Sequence, residues 1–345
     1  MAAYTAIDDP EAHFQVKLYT GTGSSNALTF DGDTDMQPDI VWIKQRSSTE
    51  GHALFDVVRG VQKYVAPNTT ADEGDTATTL TAFGSDGFTE GGHGITGQSS
   101  ATYVAWAWKT QGGAGSSNED GGINTTSTSV NQTNGVSIST WTGTGSTATV
   151  GHGLGAVPKF ITTKARSDSY DWYTYHASLG NTKNVYINLN NAASSASANF
   201  HNNTDPTSSV WTSGGNIYNV DYTFVTYAFA EKQGFSKFGH YEGNGNADGT
   251  FVYTGFRPAF VICKAIDSTS DWFIFDDQRE GYNVDNDPLL VNETTAEATT
   301  DMIDILSNGF KCRIATDPNV AETYIYAAFA KAPLVNSEGV PCNAR

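Results

Sequence analysis

The sequence predicts an all-β protein of three related antiparallel β-sandwich modules, lectin-like or jelly-roll-like, and three observations carry that expectation. One phrase recurs three times at a fixed register. Short runs of apolar residues alternate with polar ones at period two between Gly, Asn, Ser and Asp turns. Charged residues make up only 16% of the chain while Gly alone contributes 35 residues, a balance that suits sheets joined by many turns better than helical bundles.

The recurring phrase reads PDIVWIKQR from Pro38, PKFITTKAR from Pro158 and PAFVICKAI from Pro258, with Lys44, Lys164 and Lys264 at the same place in each. Upstream stand YTGTG, WTGTG and YEGNG. Downstream, His52, Trp172 and Trp272 share one aligned position counted from the proline, and Phe55, Tyr175 and Phe275 share another. Each unit closes on an apolar run that ends at Trp108, Phe229 or Phe329, and the span from proline to that end is the same in units two and three and one shorter in unit one. The register sets the expected organisation: a first module over 1–110, a flexible Gly/Ser/Asn linker over 111–133, a second module over 134–233, a third over 234–333 and a C-terminal tail over 334–345. Modules two and three, joined by only AEKQG, are expected to pack as a close pair, with module one held more loosely.

Within the second module, VSISTW, KFITTKA, DWYTYHA and NVYINLN all read as strands. Pro158 stands at a strand's first residue, where a missing N–H does little harm, and the glycines of GHGLG supply turn geometry before it. A phosphate cradle would need a helix after those glycines, and a β-branched, aromatic run follows instead. Trp106 and Trp108 share one face of a strand and are expected to be buried.

Composition excludes several functions. A net charge of −18 argues against nucleic acid as a partner. No run of apolar residues is long enough for membrane insertion, and the start, MAAYTAIDDPEAHF, lacks the basic region and apolar core of a secretory signal. Three cysteines make no disulfide framework; Cys263 and Cys312 fall in strand-like runs as small buried hydrophobes, and Cys342 near the end is expected to be exposed.

The chemistry-bearing candidates are few. Asp31, Asp33 and Asp35 in DGDTD space carboxylates as in a calcium loop, but Met36 and Trp42 stand where that loop needs Gly and Glu. An irregular calcium site there, or at Asp285 and Asp287, competes with the favoured reading of plain solvated turns; no other cofactor is expected. The histidines show no metal-ligand spacing, and no nucleophile elbow occurs. Asp276 and Asp277 could form a glycosidase pair, but Asp276 aligns with Asp56 and His176, and a catalytic acid rarely changes identity between repeats. No catalytic residue is therefore assigned. Trp172 and Trp272, beside Asp171 and Asp271, are candidate ligand contacts for sugar stacking, weighed against a place in the core, which their position in strands favours.

The phrases YTGTG, GHGLGAVPKF, PDIVWIKQR, HALFDVVRG, FGSDGF and YVAWAWK, with the closing AKAP...NAR, resemble a β-rich repeat of tail-fibre and other virion proteins of bacteriophages, particularly marine ones. The resemblance covers about residues 13–333 and is best in the first unit. The second unit has SSVWTSGG near where the first has FGSDGF, and the third has LSNGF, with YTGF in place of GHGLG. The resemblance implies a structural, non-enzymatic role in a virion and a lectin-like sandwich. The leading expectation is a tail-fibre or tail-associated protein that contacts host-surface polysaccharide; the alternative is a capsid decoration or cement protein that stabilises the head. Expected partners are other virion proteins, a host polysaccharide and further copies of the chain, made in the host cytoplasm. No heptad repeat or shaft is visible, which weighs against a complete fibre.

Overall fold

A computed structural model describes residues 4–215, 217–279 and 286–342. It is almost entirely β-structure, antiparallel throughout its named strands, and each repeat builds the same main sheet. In the first module the order across that sheet is Phe14–Thr20, Thr102–Trp108, Ile40–Gln45, His52–Asp56. The second repeats it with Val136–Thr142, Thr223–Phe229, Phe160–Ala165 and Tyr173–His176, and the third with Ser236–Glu242, Thr323–Pro333, Phe256–Ala265 and Trp272–Asp276. The last strand of each repeat thus inserts between the first and second, so a module closes only when its final apolar run has been made. A smaller sheet covers each main sheet: Asn26–Leu28, Phe88–Glu90 and Leu80–Phe83 in module one, Ala148–Gly151 with Val210–Ser213 in module two, and Phe251–Tyr253, Gly309–Cys312 and Ile303–Leu306 in module three.

The repeated YTGTG phrase has a steric cause. A Cβ on Gly21, Gly143 or Gly243 would lie 2.4, 2.3 or 1.9 Å from the carbonyl oxygen of Gln98, Asn219 or Val320, so the chain passes too close for any side chain. Later in the same phrase, Gly23, Gly145 and Gly245 have φ of +74°, +68° and +64°, where L side chains are strained.

Side-chain alternation gives the main sheets two apolar faces, and they go to different cores. In module one, Val41, Ile43, Tyr103, Ala105 and Ala107 point outward to the covering sheet. Ile40, Trp42, Val104, Trp106 and Trp108 point inward. There they join Phe160, Trp172 and Tyr227 of module two and Phe238, Phe260 and Phe329 of module three in one continuous core. Phe14, Trp108, Phe260 and Phe329 meet ring to ring across modules one and three, with centroids 4.9 to 6.2 Å apart. All three modules share this core, so module one is not set apart from a pair of the other two. Trp106 and Trp108 lie on its inner face, 0% and 4% exposed.

The segment expected to be a flexible linker is built in. Ser127–Asn131 adds an outer strand to the second module's sheet, pairing with Val136–Thr142. Upstream, Thr110 and Gly112 donate backbone N–H groups to Asp39, and the Thr110 and Ser129 hydroxyls meet at 2.6 Å. Hydroxyl-rich sequence reads as a linker because it lacks large apolar groups, yet Ser and Thr pair well at a sheet edge when their side chains find backbone partners. The C-terminal tail lies over the surface: Leu334 N–H donates to Gly255, and Ser337 N–H to Asp8 at 2.7 Å. At the other end of the chain Ala6 N–H donates to Gln233, and Lys331 pairs with Glu11.

Candidate functional site

The residues that hold register in the sequence come together where modules meet, and they do so cyclically. Lys164 of module two donates to the Thr70 carbonyl of module one at 3.0 Å, Lys264 of module three to Asn190 of module two at 3.0 Å, and Lys44 of module one to Thr294 of module three at 3.2 Å. Each ammonium also donates to the carbonyl of the residue after it, and all three lysines are 0% exposed. Burial pushes each amine down to about 8, against a partial pull upward from nearby carboxylates. An amine so tuned can act as a nucleophile, but these three are sealed from any substrate.

The aligned His52, Trp172 and Trp272 follow the same rule. Trp172 Nε1 donates to Ala66 O at 3.0 Å, Trp272 Nε1 donates to Tyr186 O at 2.9 Å, and His52 Nε2 is 2.9 Å from Leu290 O. Trp172 and Trp272 are each 1% exposed, so neither ring is open to stack on a sugar; the polar turn before each one enters the seam between modules, not the rim. Asp171 and Asp271 accept from Asn188 and Asn292, whose side-chain oxygens in turn accept the backbone N–H of Trp172 and Trp272. These two carboxylates orient the tryptophans' strand entry.

Two of the three seams carry an ionic chain that runs from a buried Asp–Arg pair to a half-buried Glu and Arg. Between modules one and two, Asp56 pairs with Arg59 at 2.6 Å, and Glu73 bridges Arg59 at 3.3 Å and Arg166 at 2.8 Å. Tyr227 donates to Asp56 at 2.6 Å. Burial alone would raise the Glu73 carboxyl, but hydrogen bonds from Arg166 and the Arg59 charge outweigh it and hold the group below its ordinary value. Between modules three and one, Asp276 pairs with Arg279 at 2.7 Å, Glu297 bridges Arg279 at 2.8 Å and Arg46 at 2.7 Å, and Trp106 Nε1 donates to Asp276 at 3.0 Å. At the third seam the corresponding positions are His176, Leu179, Ala193 and Ile266. The backbone bond under them is kept: Glu73, Glu297 and Ala193 N–H donate to the carbonyls of Arg166, Arg46 and Ile266, each at 2.9 Å. His176 Nε2 lies 3.0 Å from Tyr326 O across that seam. Burial depresses His52 to about 3 and His176 to about 4, so both are neutral near pH 7.

The remaining candidates do not converge. Asp31, Asp33 and Asp35 are exposed, and Asp31 pairs with Lys17 at 2.5 Å. Among the described residues no three His, Cys, Asp or Glu side chains are grouped to hold a metal ion; the DGDTD turn is held by backbone N–H groups of Gly32 and Asp33 donating to Gln15 and Glu11. Asp287 is buried, and Asp285 lies outside the described residues. Asp276 is committed to Arg279, and burial raises its neighbour Asp277 to about 6. Cys263 and Cys312 are buried and Cys342 is exposed. The shared core encloses an apolar cavity of about 60 Å³, bordered by Trp42, Phe160, Trp172, Phe260 and Phe329 among others, too small for a substrate. No helix among the described residues is long and apolar enough to cross a membrane.

A family model for a domain of unknown function, DUF7483, matches residues 9–333. The chain belongs to the DUF7483 family. No curated protein and no solved structure matches it. The DUF7483 match takes in all three modules, the span over which the seams close on themselves.

The ionic chains escaped the sequence reading because Arg166 lies far along the chain from Glu73, and Arg46 farther still from Glu297. A signal did exist. Counted from the proline, Arg59, Leu179 and Arg279 share one position and Arg166, Ile266 and Arg46 share another. Taken from each module to the next they pair as Arg59 with Arg166, Leu179 with Ile266 and Arg279 with Arg46, so charge or its absence is matched around the ring.

Proposed function

We propose that this chain is a non-enzymatic structural protein of a bacteriophage virion, carried on the outside of the particle as a tail-fibre or tail-associated component that meets host-surface polysaccharide. One observation carries the non-enzymatic part: the recurring lysine, the His52, Trp172 and Trp272 position and the Asp56, His176 and Asp276 position each make a bond from one module to another. Residue identity also changes from seam to seam, Asp56, His176 and Asp276 at one position and His52, Trp172 and Trp272 at another. A scaffold tolerates such exchange as long as a hydrogen bond is made, whereas a general acid cannot become an indole. The sequence resemblance to virion repeats supports the location, and the net charge of −18 fits a particle surface that must not adhere to DNA.

A second reading, a capsid decoration protein, is favoured by the closed arrangement of modules around one core, which gives a self-contained unit with no shaft among the described residues. Immunogold labelling of purified virions with an antibody to the chain separates the two. Gold on the tail supports the first reading and gold on the head the second; virions that carry no label and no peptide of the chain by mass spectrometry overturn both.

A further inference from the structure

We propose that the second module carries a binding site for one neutral pyranose ring, in a cleft whose lining the other two modules do not reproduce. The proposal rests on the host-polysaccharide reading above and specifies where the contact is made. The cleft, about 230 Å³, is lined by Asp171, Tyr173, Tyr186, Asn199, Phe200 and Ile217. Its floor is aromatic and well buried: Tyr173 and Phe200 are stacked with centroids 4.4 Å apart, and each is 5% exposed. Tyr186 stands edge-on to Phe200 at 5.7 Å and to Tyr173 at 6.0 Å, closing a three-ring corner. Asp171, Asn199, Tyr186 and Ile217 are half-buried at the sides.

This corner has the two halves a sugar needs. The C–H face of a pyranose lies on the half-buried ring of Tyr186, which the closed Tyr173–Phe200 stack holds from behind, and its hydroxyls donate to a carboxylate oxygen whose direction is already fixed. Asn188 fixes it, donating to Asp171 Oδ1 at 2.8 Å, so binding does not have to order that side chain. The carboxylate and the net charge of −18 both oppose an anionic sugar. The other modules keep the scaffold and lose the corner. Module three has the same Asp271–Asn292 clamp, but Phe273 and Leu290 stand in place of Tyr173 and Tyr186. Module one has Gly51, Ala53 and Ala66. Among the three modules, only the second sets hydroxyl-bearing rings at both positions.

The test is saturation-transfer NMR on the full chain with the methyl glycosides of glucose, galactose, mannose and N-acetylglucosamine. The wild type should transfer saturation to at least one of them. Asp171→Asn, which keeps the bond from Asn188, and Tyr186→Leu, which copies module three and leaves the backbone carbonyl to Trp272, should each weaken that binding at least tenfold at an unchanged melting temperature. Asp271→Asn should leave it unaltered. Absence of transfer to all four glycosides overturns the proposal, as does binding that survives both module-two substitutions or falls equally with Asp271→Asn. The virion labelling is independent of this readout: chain found on virions without transfer removes the cleft and leaves the virion reading standing.

Discussion

The seam between modules one and two and the seam between modules two and three do the same job with opposite chemistry. The first buries Asp56 and Arg59 and half-buries Glu73 and Arg166; the second sets His176, Leu179, Ala193 and Ile266 at the same positions over the same backbone hydrogen bond. Desolvating an ion pair costs about what its mutual attraction returns, so a complete chain of charges and a complete set of apolar groups are near-equivalent solutions. What neither seam tolerates is a mixture. The exchange therefore has to be made on both sides of a seam at once, and the pairwise matching of positions around the ring is the trace of that constraint.

The largest effect should come from making a mixture. Glu73→Ala leaves Arg166 facing Arg59 with only Asp56 to balance the two cations, and should cost about 3 kcal/mol in denaturant unfolding. A loss below about 1 kcal/mol would mean that the arginines reach solvent and that the ionic seam is dispensable.

Acid should sharpen the comparison next. His52 and His176 have folded values of about 3 and about 4 against an ordinary 6.5, so the unfolded chain takes up protons first as pH falls below 6.5. Stability should be full above that value and decline towards pH 4, by about 2 kcal/mol per histidine at pH 5. His52 sits between modules three and one and His176 between two and three, so both losses fall on the borders of module three. Among the described residues, the seam between one and two has no histidine in its cross-module hydrogen bonds, and Glu73, held below its ordinary value, keeps its charge through this window. Hydrogen exchange at pH 5 should show amides of the Trp272 and Tyr326 strands opening before those of Tyr227; the reverse order would contradict the assignment.

The smallest effect is expected from the most extensive change. Asp56→Asn, Arg59→Leu, Glu73→Ala and Arg166→Ile together convert the ionic seam to the apolar kind, and the quadruple variant should unfold within about 1 kcal/mol of the wild type. If it is as unstable as Glu73→Ala alone, the two seams are not interchangeable.

Much of this architecture was legible because it is local. The glycines of the YTGTG phrase, the proline that opens a strand and the period-two runs each report on a few close neighbours. The shared core was not legible. Alternation in YVAWAW says that a strand has two apolar faces, but not that Ala105 and Ala107 meet the module's own covering sheet while Trp106 and Trp108 meet two other modules. Trp172 and Trp272 were ambiguous for the same reason: a ring beside a polar turn reads alike whether the turn faces water or another module's backbone carbonyl. The cleft of module two depends on Phe200 returning to Tyr173 from beyond the Val185–Tyr186 strand, and no periodicity encodes that meeting.

The meeting of the first and last segments, Asp8 with Ser337 and Glu11 with Lys331, has a consequence for how the ring is encoded. Each module touches both others through the same surfaces, and the last module is as close to the first as any two that are joined by peptide. Connectivity is then only one way of writing the ring down. A circular permutant, with residues near Asp8 and Ser337 linked and the chain opened within 111–133, would place every seam residue against its present partner. The order of modules along the polypeptide is separable from their order in space, and it is the pairing of charge with charge and apolar with apolar at each seam that tells a module which neighbour is its own.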